Sequence, residues 1–298
     1  MPSNKSLKDF IENKKFSLRF NEPLAKYTTF KIGGRAKYFS EPENLDELIQ
    51  IVKISRDLGV KIYFLGNGSN LLISDSGVDG VVVNLRKISQ LEIRDRIVKV
   101  GAGYRLAELI NVSISHNLAG LEILAGIPAS VGGAIVMNAG GKFGSISNFL
   151  TSLKIVDFNG DLHTFQKAQI KFGYRETAIP KSGVIVEANF ILNPMDKKEI
   201  ATRFFEILRE KKRTQPLEKP SAGCVFKNPP GESAGRLIEK LGLGGLRIGD
   251  VYISKKHANF IINGGNAQAK DVLKLIEIVQ SKVKEKLGLK LELEIAVW

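Results

Sequence analysis

Two glycine-rich loops are the first places in this sequence where residue types and spacing suggest chemistry. The run Leu65-Gly66-Asn67-Gly68-Ser69-Asn70 (LGNGSN) follows an apolar β-type segment and precedes Leu71-Leu72-Ile73. Its alternate glycines let backbone N–H groups converge, and three short polar side chains add hydrogen-bonding groups, which suits a phosphate or pyrophosphate. Leu71 takes the place of the third glycine of a GxGxxG fingerprint, and no Gly-Lys-Ser/Thr of a Walker loop follows. The second loop is Gly126-Ile127-Pro128-Ala129-Ser130-Val131-Gly132-Gly133-Ala134 (GIPASVGGA), leading to Met137-Asn138-Ala139-Gly140-Gly141. Pro128 stiffens it, and the Gly132-Gly133 pair permits close approach of a backbone or a planar ligand. The first loop alone reads more simply as a tight turn. Two of them about sixty residues apart point to a dinucleotide.

Single residues add further candidates. Cys224 is the only cysteine, set between Gly223 and the turn-like run Phe226-Lys227-Asn228-Pro229. A thiol with the ordinary pKa of ~8.5 is mostly protonated at neutral pH and can donate a proton. A lone cysteine is more often an inert buried side chain. Arg175 stands beside Glu176 in a β-rich segment, where by itself it reads as half of a surface ion pair. Glu292 and Glu294 fall on one face of an alternating run, so spacing does not choose between them. His257, between Lys255-Lys256 and an apolar strand, suits a structural histidine and a substrate contact equally. One cysteine excludes an intramolecular disulfide, and His116, His163 and His257 are far apart without HExxH spacing. No metal site is expected.

These groups need elements to hold them. A short amphipathic N-terminal helix is expected ahead of Tyr27, then a β-rich run from Tyr27 to Gly34. Apolar residues at helical spacing (Leu45, Leu48, Ile49, Val52, Leu58) predict a helix over 45–58. Strands are predicted over 61–65 and 80–85, a hairpin over 91–100, and a helix over 104–116. Segment 151–193 is β-rich, with turns at Asn159-Gly160 and Ser182-Gly183. A helix over 195–213 ends at Gln215-Pro216 and Lys219-Pro220. Val272, Ile276, Val279, Val283 and Leu287 predict another over 271–287, with Gly288 past its end. Strict alternation over 289–295 predicts a half-buried final strand.

The chain has 298 residues, and 44 Lys and Arg against 31 Asp and Glu give a net charge of +13. At ~100–200 residues per domain, two domains or three small ones fit. An apolar fraction of 43% is that of a globular chain. No run approaches the ~20 apolar residues needed to span a bilayer, and the first thirty residues hold no signal-type apolar stretch. A soluble, cytoplasmic protein is expected. The positive charge suits a polyanionic partner or simply a lysine-rich surface. Most Lys alternate with Glu, and the densest cluster, Arg209 to Arg213 (REKKR), lacks the interleaved aromatics of a nucleic-acid platform. Nucleic acid is not the expected partner.

Taken in order, LGNGSN, GIPASVGGA and NAGG resemble the flavin-binding domain of the vanillyl-alcohol-oxidase-type FAD fold. With Tyr174-Arg175 (FGYRET), SAGCVFKNP over 221–229, AGRLIE over 234–239, SKKHANFII over 254–262 and Leu293-Glu294-Ile295, the set resembles the UDP-N-acetylenolpyruvoylglucosamine reductase family. The resemblance runs from about Tyr27 to Ile295. It implies an α+β fold: an FAD-binding domain of two α+β subdomains, 1–86 and 87–198, then an α+β substrate-binding domain, 199–298, whose last strand returns toward the flavin. It implies FAD held by residues 65–70 and by Gly126, Ile127, Pro128, Ala129, Ser130, Gly132, Gly133, Ala134, Asn138 and Gly140. It implies NADPH as co-substrate, the enolpyruvyl ether of UDP-N-acetylglucosamine as substrate, UDP-N-acetylmuramate for peptidoglycan as product, and a monomer. Arg175, Cys224 and Glu294 are implied as catalytic, and Tyr174, Arg213, Lys227, Asn228, Arg236, His257 and Asn259 as substrate-binding.

Three positions depart from the family pattern. Ala129 stands for glycine, Thr177 for serine with the hydroxyl kept, and Cys224 for the proton-donor serine, a change some members share. No long insertion carries a substrate-capping tyrosine loop, so the chain resembles the shorter branch. The FAD loops contain neither His nor Cys, which favours noncovalent flavin over a sugar or alcohol oxidase of the same superfamily. A basic nucleic-acid-binding module is the non-enzyme alternative.

Overall fold

The helical spacing of Leu48 and Val52 becomes a helix over Leu45–Asp57 in the computed structural model, which describes residues 18–298. Asn44 starts it by accepting the Glu47 N–H at 2.9 Å, satisfying one of the unpaired donors of the first turn. The helix expected ahead of Tyr27 falls outside the described residues. Those nearest Tyr27 form a strand, Leu18–Pro23, and a single 3-10 turn, Ala25–Tyr27. Two compact units result. Among the described residues, the first comprises 18–22, 36–67 and 79–208; the second comprises 23–35, 68–78 and 209–298.

In the first unit, four strands lie in the order Leu18–Pro23, Arg35–Ser40, Val78–Asn84, Ile62–Leu65, the last two parallel. Leu48, Ile51 and Val52 of the 45–57 helix share an apolar core with Val81 and Val83. The second sheet of this unit runs Leu162–Gln166, Leu150–Asp157, Gly183–Ile191, Ile97–Gly101, Leu91–Arg94, antiparallel throughout. Helices Leu106–Ser115 and Val131–Val136 share a core with it, through Leu106, Leu109, Val131 and Ile135 among others.

The second unit is built around the helix Ala269–Leu287, whose Val272, Leu275, Ile276, Val279 and Val283 are buried. Against it lie the short helix Ala234–Lys240 and three strands, Arg247–Ile248, Val251–Ile253 and Ile261–Asn263. Gly288 ends the long helix with φ +69°. Its other end is capped from far away. The Asp75 carboxylate accepts the N–H groups of Ala269 (2.7 Å) and Lys270 (3.0 Å), where Gln268 makes no side-chain cap.

Three expectations need correction. Residues 27–34 are not a strand: Lys31 has φ +58°, and Phe30 and Ile32 turn separately into the core of the second unit. Residues 289–292 keep the predicted alternation of burial, but Leu293 and Glu294 are both half-buried and the one β-bridge of the run is Leu293 to Phe226; the strand that follows is Ala296–Val297. The division placed at 198/199 falls at 208/209, inside the helix Lys197–Thr214.

The hairpin around Asn159-Gly160 is closed by Asp157, which is 1% exposed. It accepts from Asn159 and Asp161 N–H at 2.9 Å each, from the His163 ring at 3.0 Å and from Lys181 at 2.7 Å. Asp157, Asp161 and His163 place ligand-type atoms close together, but Lys181 already neutralises the group. Lys181 chiefly, helped by these hydrogen bonds, holds the Asp157 carboxyl far below the usual carboxylate range. A depressed folded-state pKa stabilises above the unfolded value of ~4 and is lost as pH falls below it. Asp157→Asn should therefore lower the urea midpoint at pH 7, with the gap to the parent shrinking below pH ~4; an equal gap at pH 7 and pH 3 would contradict this.

Candidate active site

The strand Ile62–Leu65 delivers the first loop, and Leu65 is buried as its last residue. In the first unit Asn67 donates through Nδ2 to the Pro128 carbonyl, and a Cβ on Gly66 would lie 2.2 Å from Ser130 Oγ. The two loops singled out in the sequence are thus in contact. The second loop divides into two functions. Val131 donates to Tyr104 (2.9 Å), Gly132 to Ala102 (2.8 Å), Gly133 to the Ser130 hydroxyl (3.3 Å) and Ala134 to the Ser130 carbonyl (2.8 Å). Ile127 donates to Leu124 at 3.2 Å. Gly132, Gly133 and Ala134 are therefore packing positions rather than donors to a ligand, and a Cβ on Gly132 would meet Ala102 Cβ at 2.8 Å. Gly140 is also a packing position, paired with Ser145.

The N–H groups of Gly66, Asn67, Ala129 and Ser130 donate to no acceptor among the described residues. The same holds for Gly68, Ser69 and Asn70, which belong to the second unit. Gly68 has φ +60°, and a Cβ there would fall 2.3 Å from the Tyr27 carbonyl. Only glycine suits that position. Within the first unit, the unengaged N–H donors of 66–67 and 129–130, beside a Gly66 with no room for a Cβ, fit an anionic diphosphate.

Arg175 is held by the same helix that ends the second loop. Gly173 pairs with Glu176, so Tyr174 and Arg175 form the tip of the hairpin Lys171–Gly173/Glu176–Ala178. Arg175 adopts φ +58°, a region costly for a residue with a side chain and common where function fixes the backbone. Its guanidinium lies 5.2 Å from the centroid of the exposed Tyr174 ring. Two bonds fasten the hairpin to the 131–136 helix region. Asn138 Nδ2 donates to the Gly173 carbonyl (2.9 Å), and Thr177 Oγ1 donates to the Ile135 carbonyl (2.5 Å). Asn138, expected at the cofactor, thus reaches the arginine hairpin.

The second unit holds Cys224, Glu294, Asn259 and His257. The segment 224–227 runs between two others. Cys224 bridges Phe260, Val225 N–H donates to the Asn259 carbonyl (2.8 Å), and on the other side Glu294 N–H donates to the Val225 carbonyl (2.8 Å). Lys227 N–H donates to the Glu292 carbonyl at 2.8 Å. Asn259 is 2% exposed and its amide is engaged at both ends, accepting from Phe226 N–H (2.9 Å) and donating to Phe226 C=O (2.8 Å). It clamps the cysteine segment. The two glutamates separate cleanly: Glu292 is exposed, 3.9 Å from Lys227, whereas Glu294 is half-buried.

His257 packs edge-on to Phe260, and its Nδ1 accepts from Asn259 N–H at 3.3 Å. Burial pushes its pKa below the ordinary value, so at pH 7 the ring is neutral with its proton on Nε2, by the hydrogen-bond pattern. Asn228 uses Oδ1 to accept from Ala234 N–H (3.0 Å) at the start of the 234–240 helix. Arg236 is exposed on that helix, and Arg213 is exposed near the end of Lys197–Thr214. Sequence reading missed the Thr177 and Asn138 fastenings, because both acceptors are backbone carbonyls distant along the chain.

Residues 36–166 match the FAD binding domain family, and residues 215–298 match the C-terminal domain of UDP-N-acetylenolpyruvoylglucosamine reductase. The protein of that name from Moorella thermoacetica is 43% identical over 284 residues, 95% of this chain and 94% of its own. That of Clostridium tetani is 40% identical, covering 97% and 96%. The chain belongs to the UDP-N-acetylenolpyruvoylglucosamine reductase family. A solved member, the enzyme of Thermus caldophilus, superposes with a TM-score of 0.82 at 40% identity, over 95% of this chain and 99% of that one. A chitooligosaccharide oxidase, 15% identical with a TM-score of 0.50, shares the fold alone. The reductase is thus an FAD-containing oxidoreductase of α+β class, with an FAD-binding domain of vanillyl-alcohol-oxidase type. None of its described helices is long and apolar enough to cross a membrane.

The hairpin fastening gives a direct test. Thr177→Val removes the hydroxyl donor from the Ile135 carbonyl, which then keeps the Asn138 N–H at 2.9 Å, and should cost about 1 kcal/mol. It should also speed amide exchange over 171–178, while Thr177→Ser should do neither. Exchange in the valine variant equal to the parent would show that the hydroxyl does not hold the hairpin.

Proposed function

We propose that this chain reduces the enolpyruvyl ether of UDP-N-acetylglucosamine to UDP-N-acetylmuramate, with NADPH as hydride source and FAD held noncovalently. Family membership supports the substrate class, and the observation that carries the reading is the bond from Glu294 N–H to the Val225 carbonyl, which sets a carboxyl beside the thiol segment. Residues 65–70 and 126–130 are free of His and Cys, and Gly66 to Asn70 with Ala129 and Ser130 offer N–H donors rather than a covalent attachment point. The loop donors at 66–70, 129 and 130 would hold FAD, which would supply the hydride-relay chemistry between NADPH and the enol-ether carbon. The chain's own side chains then handle charge and proton. Arg175 binds the carboxylate that gains enolate character, with a fork of parallel N–H donors that a lysine cannot reproduce. Cys224 gives its thiol proton to the adjoining carbon. Glu294 acts in protonated form or through a held water, because a bare carboxylate facing an anion would repel it. Tyr174, Lys227, Asn228, His257, Arg236 and Arg213 contribute to substrate binding, with His257 Nε2–H as a neutral donor.

Two stopped-flow half-reactions separate these roles. Arg175→Lys and Glu294→Gln should leave reduction of FAD by NADPH nearly intact and slow its reoxidation by substrate, by ~10²–10³ where a donor to developing charge is lost. Glu294→Ala should be slower than Glu294→Gln, and Glu292→Gln should change little. Cys224→Ser should keep substantial turnover, whereas Cys224→Ala should be reduced by NADPH and then stall. Defects confined to the NADPH step, or an alanine variant as fast as the parent, would remove these residues from the assigned steps.

A further inference from the structure

Asn70 ends the first glycine loop, and its side chain is turned toward the segment that carries Glu294. Its Nδ2 donates to the Glu294 carbonyl at 3.0 Å, and its own backbone carbonyl accepts the Ala296 N–H at 2.9 Å. The pairing continues from Trp298 N–H to the Leu72 carbonyl (2.9 Å) and from Ser74 N–H to the Trp298 carbonyl (2.8 Å). On the opposite side, Glu294 N–H is taken by the Val225 carbonyl at 2.8 Å. Both backbone polar groups of Glu294 are therefore occupied, one by the neighbour of Cys224 and the other by Asn70.

We infer that Asn70 is a positioning residue for Glu294, an inference that rests on the catalytic reading of Glu294 given above. The direction in which a side chain leaves the backbone is set by the peptide planes on its two sides. Val225 fixes the plane before Glu294, and the Asn70 amide fixes the plane after it. The second bond is the one that depends on side-chain identity. Aspartate has the same shape but no donor, and alanine has neither. The backbone bonds from Ala296 to Asn70 and from Trp298 to Leu72 survive either change, so the segment stays docked while the Glu294 carbonyl is released. The N–H groups of 66–70 remain available to the cofactor in every variant, which separates this role from flavin binding.

The test uses the FAD-loaded enzyme as parent, Asn70→Asp, Asn70→Ala, Glu294→Gln and the Asn70→Ala/Glu294→Gln double variant. FAD affinity is read by flavin fluorescence, the two half-reactions by stopped flow, and mobility by amide exchange over 292–298. We expect FAD affinity and reduction by NADPH to be kept. Exchange at 294–296 should rise, and reoxidation by substrate should slow by up to ~10²-fold, the scale of a misplacement of about 1 Å. The pH profile of reoxidation should shift in Asn70→Ala, and the double variant should be no slower than Glu294→Gln alone. Normal reoxidation in both Asn70 variants, with Glu294→Gln slow, would overturn the positioning role only. Normal reoxidation in Glu294→Gln itself would overturn the reading of Glu294 and this inference with it. Loss of FAD in Asn70→Asp and Asn70→Ala would make Asn70 a cofactor ligand, and multiplicative losses in the double variant would show that it acts independently of Glu294.

Discussion

Residues 71–72 and 296–297 form a parallel pair two residues long, and the order of the second unit depends on it. So short a ladder has little stability alone and must be held by its surroundings. Leu72 and Ile295 are buried in one core with Phe30, Ile32 and the 269–287 helix. Asp75, three residues beyond the pair, caps that helix, and Asn263 donates to the Phe30 carbonyl at 3.0 Å. The residues that follow the first glycine loop are thus shaped by a part of the chain some two hundred positions away. Such long-range pairing explains how a loop that reads locally as a turn becomes a fixed element of a site.

The chemistry rests on amides and hydroxyls that hold backbone. Asn259 fixes both polar groups of Phe226, and Thr177 with Asn138 fixes the two strands leading to Arg175. In each case the group expected to react or bind stands within two residues of a position that such a bond holds. This limits the reorganisation needed when charge develops, the condition under which fixed dipoles are most effective. Arg175 at φ +58° shows the cost of the arrangement, since a non-glycine residue persists there only when its neighbours over-determine it.

Much of the fold was legible because it is written in local periodicity. The 45–57 and 269–287 helices, the 91–101 hairpin and the glycine stop at 288 follow from spacing and turn chemistry alone. What could not be read depends on partners distant in sequence. Alternation over 289–295 predicts a strand, but a strand needs a ladder, and only the bridge from Leu293 to Phe226 is present. Glu292 and Glu294 share a face in an ideal strand; the irregular path exposes one and half-buries the other. Run 27–34 is rich in β-formers, yet a positive φ at Lys31 folds it inward. Motif order identified the family, while Asn259 and Asn138 show that a residue inside a motif can also hold backbone distant along the chain.

The central claim is that one noncovalent FAD serves NADPH and the enolpyruvyl sugar nucleotide in turn. The most direct measurement is the visible spectrum of the purified protein, followed anaerobically through addition of NADPH and then of UDP-N-acetylglucosamine enolpyruvate. A yellow protein that bleaches with NADPH, regains its colour with the enolpyruvyl substrate, and releases its flavin on acid treatment is the predicted result. A colourless protein, a flavin that acid fails to release, or a bleached flavin that the enolpyruvyl substrate does not reoxidise would contradict it.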